Sequence, residues 1–104
     1  MEMAKYIMSI FKSQLTVVWS WGFHKPVAIK DGLQFKVQGY KFKGVVEVAY
    51  DEGRDLFDVR FIKSNKVVNM IKGVYFDMLI DTIDDYVERT PDYEERVSTE
   101  YSLV

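Results

Sequence analysis

The apolar positions of this chain repeat at two different periods. Over residues 2–14, Ala4, Ile7, Met8 and Phe11 recur at i, i+3, i+4 and i+7, and Leu15 extends the row, while Glu2, Lys5, Ser9, Lys12 and Ser13 lie off it. That spacing makes one helix face apolar, so an N-terminal helix is predicted. Glu2 near its start and Lys12 near its end suit the helix macrodipole. From Leu15 the period changes to two: Val17, Trp19, Trp21 and Phe23 alternate with Val18, Ser20, Gly22 and His24. The alternation predicts a strand over residues 15–23 with both tryptophans on one side of a pleated sheet.

Period two continues to about residue 63. Pro26 cannot donate to a ladder, so His24-Lys25-Pro26 reads as a corner or bulge. A short strand is predicted over 27–30, a two-residue hairpin turn at Asp31-Gly32, and further strands over 33–38, 40–50 and 55–63, with Asp51-Glu52-Gly53-Arg54 closing the longer hairpin. Residues 64–73 offer two readings. Ser64-Asn65 is either a hairpin turn before a sixth strand at 67–72 or the cap of a helix through Val67, Ile71, Val74 and Met78. Gly73 inside a helix costs about 1 kcal/mol, and Val67-Val68 favours a strand, so the strand is preferred. Residues 74–89 read as a helix with a core stripe of Phe76, Leu79, Ile80, Ile83 and Val87 and an acidic outer face of Asp77, Asp81, Asp84, Asp85 and Glu88, ended by Thr90-Pro91.

The faces define the fold class. Trp19, Trp21, Phe23, Phe35, Tyr40, Phe42, Tyr50, Phe57 and Phe61 collect on one side of the sheet. Ser20, Lys30, Lys36, Lys41, Lys43, Glu47, Asp58 and Arg60 collect on the other. One dry and one wet face are the mark of an antiparallel sheet. The expectation is an α+β domain over residues 1–90, an antiparallel five- or six-stranded meander with an N-terminal and a C-terminal helix packed on its aromatic face, followed by an acidic, mobile tail over 91–104. Six strands at ~4.8 Å span about 29 Å, whereas two helices side by side cover about 20 Å. Curling of the sheet, a homodimer contact or a small-molecule pocket would each account for the surplus apolar surface.

Composition narrows the chemistry. The 104 residues suit one domain with one modest core. There is no cysteine, which excludes disulfides, thiolate nucleophiles and cysteine-based zinc sites. No apolar run approaches the ~18 residues of a membrane span. Residues 1–12 lack the pattern of a signal peptide, and a cytoplasmic location is expected. The net charge of −2 hides a segregation: residues 1–73 hold 12 Lys or Arg against 7 Asp or Glu, and residues 74–104 hold 2 against 9. A basic sheet and an acidic helix would attract each other, and the basic surface would also suit an anionic partner.

No catalytic constellation stands out. His24 is the only histidine, sits at a strand end, and reads as a turn residue before it reads as a base. The carboxylates of the last helix form a solvated stripe, where metal or acid–base work would need them converging in a pocket. The glycines are scattered and form no phosphate loop. Neither a cofactor nor a metal is expected. Lys36, Lys41, Lys43 and Arg60 on adjacent strands are a candidate anion-binding set, but aromatics on the opposite face give no base-stacking platform, and nucleic acid is a disfavoured partner. The ending Tyr101-Ser102-Leu103-Val104 resembles a ligand for PDZ-type grooves.

Trp19-Ser20-Trp21-Gly22-Phe23 and Gly73-Val74-Tyr75-Phe76-Asp77 are similar to segments of small uncharacterised proteins of gut anaerobic bacteria and their mobile elements, over about residues 15–90. That resemblance implies a bacterial, intracellular, accessory role and supplies no activity or site residues. The sequence therefore predicts a non-enzymatic interaction protein that self-associates as a homodimer through leftover apolar surface around Trp19, Trp21 and Tyr40. The alternatives are an accessory nucleic-acid binder or a carrier of a small apolar ligand held between sheet and helix.

Overall fold

The chain is described by a computed structural model over residues 2–88. The expected acidic tail at 91–104, the helix stop at Thr90-Pro91 and the PDZ-like ending lie outside the described residues. Helix α1 (Glu2–Lys12) is followed by a short helix α2 (Leu15–Ser20). Five strands come next: β1 (His24–Ile29), β2 (Gly32–Gln38), β3 (Lys43–Asp51), β4 (Leu56–Lys63) and β5 (Lys66–Val74). A 3-10 turn over Phe76–Met78 leads into helix α3 (Leu79–Val87). Each strand pairs antiparallel with its neighbour in sequence, so the sheet is a five-stranded meander of order β1-β2-β3-β4-β5. The α+β class, the meander and the helices at both ends match the sequence reading.

The first predicted strand is the main correction. Residues 15–20 are helical, and Trp21-Gly22 turn the chain into β1. On a helix, positions two apart are about 200° apart, so the two tryptophans do not share a face. Trp21 is 0% exposed and Trp19 is 69% exposed. The helical phase that carries Trp21 inward was present in the sequence. Ala4, Ile7, Phe11, Val18 and Trp21 are all buried and are separated by steps of three, four or seven residues, so one inward stripe continues from α1 through α2. Thr16, Val17 and Val18 lose at most about 0.7 kcal/mol each by being helical. Burying an indole of about 150–250 Å² at ~25 cal/mol per Å² contributes several kcal/mol, and that burial outweighs the β preference of the segment.

This reassignment also settles the mismatch of widths. Five strands at ~4.8 Å span about 24 Å, and three helical segments cover them. Under α1 and α2, Phe11 meets Trp21 and Phe35 edge to face at centroid distances of 5.7 and 5.4 Å. Under α3, Tyr86 stacks on Phe61 at 4.0 Å and Phe42 closes the group. The buried rows Leu33–Val48–Val59 and Phe35–Val46–Phe61 run across three strands in register. These side chains fill the middle of the sheet–helix layer, and an open hollow of about 540 Å³ remains at its α1–β1 edge, lined by Met8, Pro26 and Leu33 among others.

Smaller shifts follow from turn chemistry. The first hairpin turns through Lys30-Asp31, one residue earlier than predicted, with Ile29 paired to Gly32 and Asp31 at φ 55°. Residues 64–73 resolve as predicted: Ser64 and Asn65 both take positive φ, at 53° and 64°, in a two-residue turn, and β5 pairs with β4. Phe76 leaves the expected core stripe, because the 3-10 turn ahead of α3 changes the helical phase, and it is 57% exposed. Asp84 moves the other way. It lies one turn past Ile80 and one turn before Val87, and it is 1% exposed rather than on the acidic outer face.

Candidate functional site

The candidate contact residues fall in three different environments. Trp21 is in the core, where its indole Nε1–H donates to Asp84 Oδ1 at 2.9 Å. It is a structural anchor and forms no part of a surface. That bond joins α3 to the end of α2 and gives the buried carboxylate a partner. Trp19 projects from α2, one helical turn beyond the exposed Leu15. Tyr40 is 64% exposed in the β2–β3 loop, with its backbone N–H on Glu88 Oε2 at 2.6 Å.

Most of the exposed large apolar residues belong to the helical layer and its lead-in. Among the described residues these are Tyr6 on α1, Leu15 and Trp19 on α2, and Tyr75, Phe76 and Met78 before α3. A cleft of about 420 Å³ separates α1 from the start of α3, with Tyr6 and Ile10 on one wall and Phe76 and Ile80 on the other. A second hollow of about 590 Å³ shares Tyr6 and Phe76 and extends past Met3 to Tyr50 and Tyr75. Ser9 and Ser13 line the first cleft but donate their hydroxyls to the carbonyls of Tyr6 and Ile10, both at 2.6 Å. These donors are already satisfied within their own helix, so the cleft presents a mainly apolar wall.

The far face of the sheet carries the charge. Lys36 is on β2 and Lys43 on β3, both exposed, with Arg60 on β4. Lys36 and Lys43 line one hollow of about 590 Å³ together with His24 and Gln38. His24 reaches it because β1 pairs with β2 in a register that sets His24 opposite Lys36, beyond a bulge at Lys25-Pro26. The imidazole Nδ1 lies 2.7 Å from the Gly22 carbonyl, which fixes the ring. Arg60 does not join them, since its guanidinium lies 3.5 Å from Glu47 Oε1, its cross-strand neighbour. Lys41 is also separate, in the β2–β3 loop with its backbone N–H on the Val87 carbonyl at 2.8 Å. The four predicted cations thus divide into one converging pair and two outliers.

At the opposite end of the sheet, Arg54 bridges Asp51 at 2.7 Å and Asp58 at 3.0 Å, and Asp58 accepts the Gly73 N–H at 3.1 Å. The hydrogen bond from Arg54 holds the Asp51 carboxyl below its ordinary value. Nearby, the Tyr50 phenol donates to the Asp55 carboxylate and is pushed up to about 12, chiefly by that bond. Among the described residues no group of three or more His, Asp or Glu converges as a metal site, and no helix is long and apolar enough to cross a membrane. No protein-family model, curated protein or solved structure matches the chain, so a functional reading rests on these surfaces.

Proposed function

We propose that this chain is a non-enzymatic, cytoplasmic interaction protein that self-associates, with the outside of its helical layer as the contact surface. The observation that supports this reading is that exposed Tyr6, Leu15, Trp19, Tyr75, Phe76 and Met78 all belong to the helical segments or their lead-in, with Tyr6 and Phe76 on opposite walls of the α1–α3 cleft. Tyr, Trp, Phe and Met are the residue types enriched in contact surfaces. The contact surface expected around Trp19, Trp21 and Tyr40 on the sheet moves to the helices, because Trp21 and the aromatic sheet face are covered.

A second copy of the chain is the occupant favoured by charge. Exposed Lys5 and Lys12 lie on the β1 flank of α1, where they line a hollow with Pro26 and Leu33, and exposed Asp77 lines the α1–α3 cleft, with exposed Asp81 one turn further on. A surface with a basic edge, an apolar middle and an acidic edge is self-complementary under a two-fold rotation. Aromatic side chains carry about 150–250 Å² each, so the partly exposed residues leave on the order of 400 Å² of apolar surface per copy. A standard interface takes about 800 Å² per partner, which suits a weak, concentration-dependent dimer.

Sedimentation equilibrium tests the reading. A monomer–dimer equilibrium is expected below ~100 µM, shifted toward monomer by Phe76→Ser and by Trp19→Ala with the fold intact. A strict monomer at ~100 µM, or a dimer indifferent to both substitutions, rejects it.

A further inference from the structure

We infer that the hollow between β1, β2 and β3 on the charged sheet face is a binding site for a small phosphate-bearing ligand, held by Lys36, Lys43, His24 and Gln38. Four features carry this. The two ammonium groups come from directly neighbouring strands and line one concavity, with Gln38 opposite Lys43 and His24 opposite Lys36 in the sheet register. Neither Lys36 nor Lys43 forms an ion pair among the described residues, whereas Arg54 and Arg60 do. Among the described residues no carboxylate lines the hollow, and the acidic side chain on the adjoining row, Glu47, is engaged by Arg60. The volume of about 590 Å³ lies within the ~300–1,000 Å³ typical of small-ligand sites.

The chemistry selects a compact anion over a polymer. Two lysines act as charged donors without the planar fork of arginine, which suits an oxyanion with several equivalent oxygens. The Gln38 amide adds a neutral donor, and Val45 forms an apolar flank for whatever bears the phosphate. A nucleic-acid strand would require a track of cations, and the track stops at Arg60, which is tied to Glu47. It would also draw on aromatic stacking, yet the ring clusters of this protein lie on the opposite side of the sheet. The site and the proposed dimer surface occupy opposite faces, so each stands or falls separately.

Amide chemical-shift titration of the full chain at low ionic strength is the test, with inorganic pyrophosphate, a mononucleotide and a single-stranded oligonucleotide as probes. Pyrophosphate and the mononucleotide should produce saturable shifts confined to residues around 24, 36–38 and 43–45. Lys36→Ala and Lys43→Ala should each weaken binding about tenfold, the loss of one charge-assisted hydrogen bond. Lys36→Glu should abolish it, while Lys41→Ala leaves it unchanged. The spectrum of each variant reports its fold. The inference fails if no saturable shift appears, or if Lys41→Ala weakens binding as much as Lys36→Ala. It also fails if affinity climbs with oligonucleotide length, which would assign the face to nucleic acid.

Discussion

Residues 15–23 and 66–74 are a matched pair in which the hydrophobic pattern points the wrong way twice. The first segment alternates Val17, Trp19, Trp21 and Phe23, as a strand would, and folds as a helix and turn. The second places Val67, Met70, Ile71 and Val74 at i, i+3, i+4 and i+7, as a helix would, and folds as an edge strand. Punctuation decides both cases. No glycine or proline lies in residues 2–21, and after the Ser13-Gln14 turn the helix resumes and carries Val18 and Trp21 inward until Gly22 stops it at φ +68°. Ser64-Asn65 adopts the two-residue turn that returns the chain against β4, and pairing follows. Short apolar runs are thus assigned by what bounds them more than by their own period.

The two tryptophans sharpen that contrast most strongly. Trp21→Ala should remove about 3–5 kcal/mol of stability, since it empties a site between Phe11 and Phe35 and takes the indole donor from the buried Asp84. That is a large share of the ~5–15 kcal/mol available to a domain. Trp19→Ala should change stability by less than about 0.5 kcal/mol, because its ring is largely in solvent. Urea unfolding of the two variants is the measurement. Similar losses would return both rings to one face and revive the strand reading.

How much was legible follows the same logic. The meander from β2 to β5 could be read because each of its connections carries turn residues: Gly39, Gly53 and Ser64-Asn65. Lys36 and Lys43 could be placed on the wet face by alternation alone. Asp84 was also within reach, since helical geometry sets it about 40° from Ile80 and about 60° from Val87, inside the buried stripe. The membership of His24 in the hollow was not legible. It depends on a register across a bulge, and cross-strand register is a nonlocal fact. The α1–α3 cleft was hidden for a related reason: the 3-10 turn at Phe76–Met78 breaks the phase that had assigned Phe76 to the core.

The two positive-φ glycines separate backbone strain from crowding. Gly22 ends the helical segment, and a Cβ there would lie 3.0 Å from the Gln38 nitrogen and 3.1 Å from the Gln38 Cβ. Gly73 lies within β5 at φ +72°, and a Cβ there would meet nothing closer than 3.7 Å. Gly73→Ala should therefore cost only the left-handed penalty of about 1–2 kcal/mol. Gly22→Ala should cost more, about 2–3 kcal/mol, because the β2 backbone must also yield. Equal losses in thermal unfolding would mean that the Gly22–Gln38 approach relaxes freely, and that the helix stop is a matter of φ alone.

The smallest expected effect concerns how each segment is anchored. The helical segment is tied by a bond in the interior, Trp21 to Asp84, whereas β5 is tied near its end by an exposed network of Asp51, Arg54, Asp58 and the Gly73 N–H. Arg54 lowers the Asp51 carboxyl in the folded chain, so that carboxyl favours folding while ionised. Its contribution is present above the unfolded value of 3.8 and fades as pH falls through the lower folded value. Arg54, raised by the same bond, keeps its charge throughout. Acidification below 3.8 should thus weaken this hold on the β5 end. Asp51→Asn takes one partner from Arg54 at neutral pH, and it should move the Gly73 amide resonance while the Trp21 indole resonance holds its position. A Gly73 signal that stays fixed in Asp51→Asn would show that the surface network carries no hold on the edge strand, and a Trp21 signal that moves with it would show that the two anchors respond as one.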